Sequence, residues 1–378
     1  MFYFTAKDQL RLDVLTRYSE GEIHLEHALT TLEIGERQFR RLFRRFRADG
    51  IISIKHGNTG QTPHNKIPRP IEDKIILLFK TKYKGFNVTH FREKLEAEMD
   101  KSLVPSYTAL RRILKESGHL TSRRPRHKRV HRPRERYEKE GLFVQIDGSH
   151  HVWFGDQETC LIAIIDDATS KILAARFSPA ETTLDTMKVA ENVVKKYGRF
   201  HIIYSDKAGI FGDGKRANFT NFKRSMKQLD ILPILAHSAQ AKGRIERLFK
   251  TLQDRLISEM RLNKIDNMTE ANQFLEKYIE EHNDKFSIEA KSPELAYRIL
   301  SKDVNLKEIF CEIEIRTVHT GNVILFENNK YIIQNDYPIS LKGRWVEIRT
   351  YQDGLVKFYL ENEEMKVIKL DKYHRKAA

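Results

Sequence analysis

The sequence predicts a multidomain chain with all-α modules at its N-terminal end, an α/β core at its centre and a small β-barrel at its C-terminal end. Three observations carry this. Up to about residue 120, apolar residues recur at helical spacing between turn signals. From residue 141, short apolar runs of strand length alternate with helical stretches. From residue 309, strand-like runs are separated by Gly, Asn and Asp turns with no helical period.

The chain has 378 residues, long for one domain, with 40% hydrophobic residues, enough for real cores. Its formal net charge of +15 and pI near 9.5 favour a polyanionic partner, most simply nucleic acid. No apolar run approaches the ~20 residues that span a bilayer, and the first residues lack the pattern of a signal peptide. Cys160 and Cys311, the two cysteines, are far apart in apolar surroundings and read as buried reduced thiols, which fits the cytoplasm.

Residues 1–55 read as three helices. Leu10, Val14 and Leu15 mark the first, 24–32 is the second, and 36–47 follows after a turn at 32–35, which is helix-turn-helix spacing. The third carries Arg37, Gln38, Arg41, Arg44 and Arg45 around an apolar stripe of Phe39, Leu42, Phe43 and Phe46. Arg and Gln can read base edges in a major groove; a helix that grips phosphate only is the equal alternative. His24 and His27 have no nearby Cys, so no zinc site is expected. Residues 56–70 are Gly- and Pro-rich and read as a linker.

Residues 71–120 form a second helix-turn-helix-like unit, with helices over 71–83, 87–99 and 107–117, the last capped by Ser106. Arg111 and Arg112 are its groove or phosphate contacts; a purely structural bundle is the competing reading. Residues 121–140, with Arg123, Arg124 and Arg126 at their start, are strongly basic and read as a phosphate track leading into the core.

The core spans 141–300. Strands are predicted at 141–148, 159–166 and 172–177, a helix at 183–197, a strand at 200–205, a helix at 219–229 and an edge strand at 232–235 containing Pro233. A long helix begins near Lys242, with Ile245, Leu248, Leu252, Leu256 and Met260 as its buried stripe. Helices at 270–282 and from Pro293 close the core. The β-barrel is placed at 309–372, where Lys342, Arg344, Trp345 and Arg349 either touch DNA backbone or serve packing or dimerisation.

Three acids stand out. Asp147 and Asp206 lie at the ends of apolar strands, where a carboxylate is costly unless it binds something. Glu246 shares a face of the long helix with Lys242, Lys250 and Gln253; alone, that face would read as an ordinary solvated one. Three gathered carboxylates repel one another, and a hard divalent cation such as Mg²⁺ relieves the repulsion. Asp166 and Asp167 read as turn formers rather than ligands, and His150 and His151 either contact a phosphate or are polar residues at a strand edge.

The order strand-Asp147, strand-Asp206, helix-Glu246 resembles the DDE transposases and retroviral integrases. The runs Asp147-Gly148-Ser149-His150-His151, Ile165-Asp166-Asp167-Ala168-Thr169-Ser170, Tyr204-Ser205-Asp206-Lys207 and Ala241-Lys242-Gly243-Arg244-Ile245-Glu246-Arg247 resemble bacterial insertion-sequence transposases of the ISNCY type. The chain departs from that pattern at Ala239, where Pro is expected, and at Ala208-Gly209, where a His-Ser pair is more usual. The β-β-β-α-β-α-β-α order is itself the ribonuclease-H-like one.

The resemblance implies a transposase that binds the terminal inverted repeats of its element and cuts and joins DNA strands. Asp147, Asp206 and Glu246 would be both catalytic residues and ligands of two Mg²⁺ ions about 3.5–4 Å apart, with Mn²⁺ as a substitute. It implies double-stranded DNA as partner at both element end and target, a homodimer or higher assembly on DNA, no membrane, and a cytoplasmic, nucleoid-associated location. Lys242, Arg244 and Lys250 are expected to grip phosphate. The alternative is a catalytically inactive DNA-binding regulator derived from a transposase.

Overall fold

The computed structural model describes residues 4–54, 66–120, 134–206, 209–211, 220–236, 242–334 and 340–370. The chain divides into two compact units, Met1–Glu72 and Asp73–Ala378.

In the first unit, α1 (Ala6–Ser19) starts at a reciprocal cap in which Thr5 and Asp8 satisfy each other's backbone amides. α2 (Leu25–Leu32) ends at Glu33, whose left-handed φ of 53° turns the chain into α3 (Glu36–Asp49) and a short 3-10 turn, Gly50–Ile54. Val14, Leu15, Ala28, Phe39 and Ile54 form the core. Tyr18 meets Phe39 and Phe43 edge-on at 4.9 Å. Of the linker expected at 56–70, residues 56–65 lie outside the described residues.

α4 (Arg69–Thr81) spans the division between the units. The second unit continues with α5 (Val88–Glu98) and α6 (Tyr107–Glu116), which Ser106 caps by accepting from Ala109 N at 3.4 Å. Then come β1 (Phe143–His151), β2 (Thr159–Asp166), β3 (Ile172–Ser178), α7 (Thr183–Tyr197), β4 (Ile202–Ser205), α8 (Asn221–Gln228), β5 (Leu232–Leu235), α9 (Gly243–Leu262) and α10 (Met268–Phe286). The five strands make one mixed sheet in the order β3-β2-β1-β4-β5. β1, β2 and β3 are antiparallel, while β4 runs parallel to β1 and β5 parallel to β4. Pro233 sits on an edge strand, where its missing N–H costs no ladder bond on the open side.

Both faces of the sheet are covered. Cys160, Ile162 and Ile164 of β2 point to α7 and α8; Leu161, Ala163 and Ile165 point to α9 and α10. A strand covered on both sides is continuously apolar, which is why β2 reads as one unbroken run. Both cysteines are free and buried, and burial pushes the Cys160 thiol up to about 12.

Three expectations need correcting. The stretch starting at Pro293 is not a helix. Its backbone is bound instead to neighbouring segments, with Ser292 N donating to Glu138 O at 2.9 Å, Ala296 N to Glu140 O at 2.8 Å, and Arg298 N to Arg199 O at 2.9 Å. The first core strand, expected at 141–148, runs on to His151, because β1 keeps pairing with β2 as far as His151 opposite Thr159. The C-terminal strands do not close into a barrel. After α11 (Leu306–Ile309), β6 (Glu312–Thr317), β7 (Val323–Phe326), β8 (Asn329–Ile333), β9 (Trp345–Thr350), β10 (Val356–Leu360), β11 (Glu363–Met365) and β12 (Val367–Leu370) make a four-stranded sheet, β11-β10-β9-β6, and a three-stranded one, β12-β8-β7. The two sheets share a core of Ile324, Phe326, Ile333, Val346, Ile348 and Phe358, and among the described residues no ladder joins them.

Candidate active site and adjoining groove

The parallel register of β1 and β4 sets the site. Phe143 pairs with Ile202, Val144 with Ile203 and Gln145 with Tyr204. Carried two places further, the same register brings Asp147, midway along β1, level with Asp206, just past the carboxyl end of β4. Val144 and Ile146 point into the core beneath α7, so alternation turns Gln145, Asp147 and Ser149 towards α9. Two contacts bracket Asp147 along that helix. Ile245 N donates to Gln145 Oε1 at 3.4 Å, and Gln253 Nε2 donates to Ser149 Oγ at 3.2 Å.

Lys242, at the start of α9 and 6% exposed, reaches both aspartates. Its Nζ lies 2.6 Å from Asp147 Oδ1 and 3.4 Å from Asp206 Oδ2. Burial raises the carboxyl of Asp147 above its ordinary value, and the bond from Lys242 pulls it part of the way back. One cation therefore already sits between the two carboxylates, so this oxygen-only pair fits a hard divalent ion. Glu246 is half-buried on α9, four residues on from Lys242. Among the described residues, no three His, Cys, Asp or Glu side chains are gathered tightly enough to hold an ion together.

A fourth acid, absent from the sequence expectations, stands beside them. Glu181, from the connection between β3 and α7, packs against Gly148. A Cβ added to that glycine would lie 2.8 Å from Glu181 Cδ and 3.0 Å from Cys160 Sγ. Burial raises the Glu181 carboxyl, and the charges of Asp147 and Asp206 raise it further. The only sequence signal was Gly148 next to Asp147.

Asp166 and Asp167 are structural. Asp166 accepts from Gly141 N at 2.9 Å and Thr169 N at 2.8 Å, and its carboxyl is raised by burial against the pull of those bonds. Asp167, fully buried, takes ion pairs from Arg134 and Arg244 and a 2.9 Å bond from Gln145 Nε2. Arg136 Nη1 donates to Asp167 O at 2.8 Å and to Ser170 Oγ at 2.8 Å. The end of the basic segment is thus anchored to the turn between β2 and β3. Arg244, expected to grip phosphate, is turned inward because Asp167 needs its charge.

The α4–α6 segment is held against α9 by ion pairs. Glu259 on α9 stands 2.6 Å from His90 Nε2 and 2.6 Å from Lys94 Nζ. Burial would raise the Glu259 carboxyl, but those two partners outweigh it and hold it low. Arg255 Nη1 donates to Glu93 Oε2 at 2.8 Å, and Lys285 pairs with the same carboxylate. Where α6 faces α9, a groove of about 610 Å³ opens, with Tyr107, Arg111, Arg247 and Lys250 among its walls. Arg111, Arg247 and Lys250 are exposed, and none has an ion-pair partner among the described residues.

The other expected contacts fall as follows. Arg37, Gln38, Arg41, Arg44 and Arg45 are exposed on α3, although Arg45 Nη2 also donates to Ser53 O at 3.3 Å. Arg112 is exposed on α6. Arg123, Arg124 and Arg126, with Lys207, Ala208 and Ala239, lie outside the described residues. In the C-terminal sheets, Trp345 is 73% exposed, whereas Arg349 is held inward by Glu308 at 2.9 Å and Glu347 at 3.0 Å.

The mixed sheet thus sets a pair of aspartates from adjacent parallel strands beneath a crossing helix. No protein-family model matches the chain. Two curated proteins do. A Sinorhizobium fredii protein named "Putative transposase y4bF" is 35% identical over 359 residues, covering 93% of this chain and 78% of that protein. The transposase for insertion sequence IS1202 of Streptococcus pneumoniae is 32% identical over 361 residues, covering 84% and 76%. The chain belongs to this family, the insertion-sequence transposases. Among solved structures, the HTLV-2 integrase catalytic core domain in complex with magnesium (dimeric form) is 15% identical with a TM-score of 0.33, covering 41% of this chain and 94% of that one. The simian T-cell lymphotropic virus intasome in complex with PP2A regulatory subunit B56 gamma is 13% identical with a TM-score of 0.36, covering 73% and 99%. At those scores the likeness to the solved structures carries no argument, and membership rests on the two sequence relatives. Among the described residues no helix is long and apolar enough to cross a membrane.

Proposed function

We propose that this chain binds the terminal inverted repeats of its own insertion sequence and catalyses Mg²⁺-dependent cleavage and transfer of DNA strands. The observation that carries the reading is the level placement of Asp147 and Asp206 on adjacent parallel strands, close enough to share one cation. When bound, a divalent ion supplies a polarised phosphate and an activated oxygen nucleophile. Asp147 and Asp206 would hold it, and Glu246, on the turn of α9 between the two bracketing contacts, would complete the set. The 3′-hydroxyl freed at the element end then attacks target DNA in the same site. One phosphodiester bond is broken for each one formed, so no ATP is consumed.

The remaining residues position DNA. The exposed arginines of α3, with Gln38, would read or grip the repeat. Arg111, Arg247 and Lys250 would take phosphates along the groove that leads from α6 to the face of α9 bearing Glu246. The basic stretch holding Arg123, Arg124 and Arg126 would add phosphate contacts, and a homodimer or higher assembly would pair two ends. These residues alone supply attraction that salt weakens, with phosphate contacts setting register rather than sequence.

A second reading has one observation on its side. Glu246 is not gathered with the two aspartates, as expected of an inactive DNA-binding regulator descended from a transposase. Metal-dependent cutting by the wild type separates the two, since the regulator binds the repeats without it, and Asp206→Asn then tests the assignment of the site. On the transposase reading it retains repeat binding and abolishes strand cleavage; a variant that cuts at the wild-type rate would refute the assignment of the site.

A further inference from the structure

Lys242 occupies an unusual place for a lysine. It is 6% exposed, and its ammonium is committed to two carboxylates carried by neighbouring strands. A buried ammonium is costly unless paired, and two aspartates at one site repel each other unless a cation stands between them. Each requirement is met by the other. The lysine enters from the first residue before α9, four residues ahead of Glu246, so its four-carbon stem crosses from the helix to the sheet.

The position it takes is the one a divalent ion would need. An ammonium and a metal ion cannot both lie between Asp147 Oδ1 and Asp206 Oδ2, since two cations within a few ångströms repel strongly in a part-buried site. We propose that Lys242 is the internal counter-cation of the metal-free site and that a divalent ion binds by displacing it. This rests on the metal reading given above. The lysine keeps the aspartates assembled before any ion arrives and sets the concentration of metal at which the site loads. Once displaced it remains tethered to the start of α9, next to the carboxylates, where its charge is free for a DNA phosphate. A lysine so arranged lowers the metal affinity of the free protein, so it is a positioning residue whose effect is read in binding as well as in turnover.

The test uses the full chain without DNA. Mg²⁺ binding is measured by calorimetry for the wild type, Lys242→Met, Lys242→Arg and Asp147→Asn. Lys242→Met is expected to bind Mg²⁺ about tenfold more tightly, equivalent to about 1.4 kcal/mol, while Lys242→Arg, which retains a competing cation, stays near the wild type. Unchanged or weaker binding by Lys242→Met, with normal binding by the wild type, overturns the inference and leaves the metal reading standing. Because the methionine variant can fail to fold, the wild type is also labelled by reductive methylation with formaldehyde, and the Lys242 peptide is followed by mass spectrometry. Labelling of Lys242 is expected to rise on adding Mg²⁺. Labelling that stays flat or falls while calorimetry records binding overturns the displacement. No Mg²⁺ binding by the wild type or by Lys242→Met overturns the metal reading and this inference together, and Asp147→Asn fixes the baseline for binding elsewhere.

Discussion

His90 Nε2 stands 2.6 Å from Glu259 Oε1, across 169 residues of chain. With the Lys94 contact to the same carboxylate, it fastens α5 to the far half of the helix whose first turns carry Lys242 and Glu246. The groove walls of α6 therefore have a fixed relation to the candidate site, because both are tied to α9. Glu259→Gln leaves the half-buried Lys94 ammonium uncompensated and disturbs the buried bond to His90. It is expected to cost on the order of 3 kcal/mol, measured by urea unfolding, and to raise amide exchange in α5 more than in β2.

Asp167 plays the same part at the other end of α9. Fully buried, it receives Arg134 and Arg244. Asp167→Ala is expected to destabilise the second unit by on the order of 3 kcal/mol, read from the urea midpoint. An unchanged midpoint would show that the two arginines find water or another acid at no cost.

Gly148→Ala tests the fourth carboxylate. The new methyl would press on Glu181 Cδ at 2.8 Å and on the buried Cys160 Sγ at 3.0 Å. The flexible end of Glu181 must move, at a stability cost of about 1–2 kcal/mol. Strand cleavage is expected to fall more than repeat binding. Equal losses in both assays would mean that Glu181 serves only packing.

His282 on α10 predicts an acid limb. Burial holds its imidazole at about 4 against an ordinary 6.5, so the folded protein keeps it neutral where the unfolded chain takes up a proton. Its contribution to stability is fully present above pH 6.5, is lost as pH falls towards 4, and is constant below that; the loss amounts to on the order of 3 kcal/mol. His282→Leu should flatten the pH dependence of the urea midpoint over that window. A parallel profile would place the acid sensitivity elsewhere.

Much of the core was legible because its signals are local. The apolar runs ending at Asp147 and Asp206 announce strands, and Ile245, Leu248, Leu252, Leu256 and Met260 announce the buried face of α9. What was not legible depends on distant partners. Arg244 reads as a phosphate contact until Asp167, 77 residues earlier, is seen beneath it. Glu181 lies in an irregular connection and enters the site only because Gly148 leaves room for it. The C-terminal strands were visible from their turns, but closure into a barrel depends on which edges pair, and alternation within a strand does not encode that.

The most direct measurement incubates the full chain with linear DNA ending in its own element's terminal repeats, with Mg²⁺ or EDTA, and scores 3′-end nicking and strand joining. The account predicts metal-dependent cutting at the repeat boundary with a joined product, lost in Asp147→Asn, Asp206→Asn and Glu246→Gln. Tight binding to the repeats with no cutting in either Mg²⁺ or Mn²⁺ would contradict it and favour the inactive regulator.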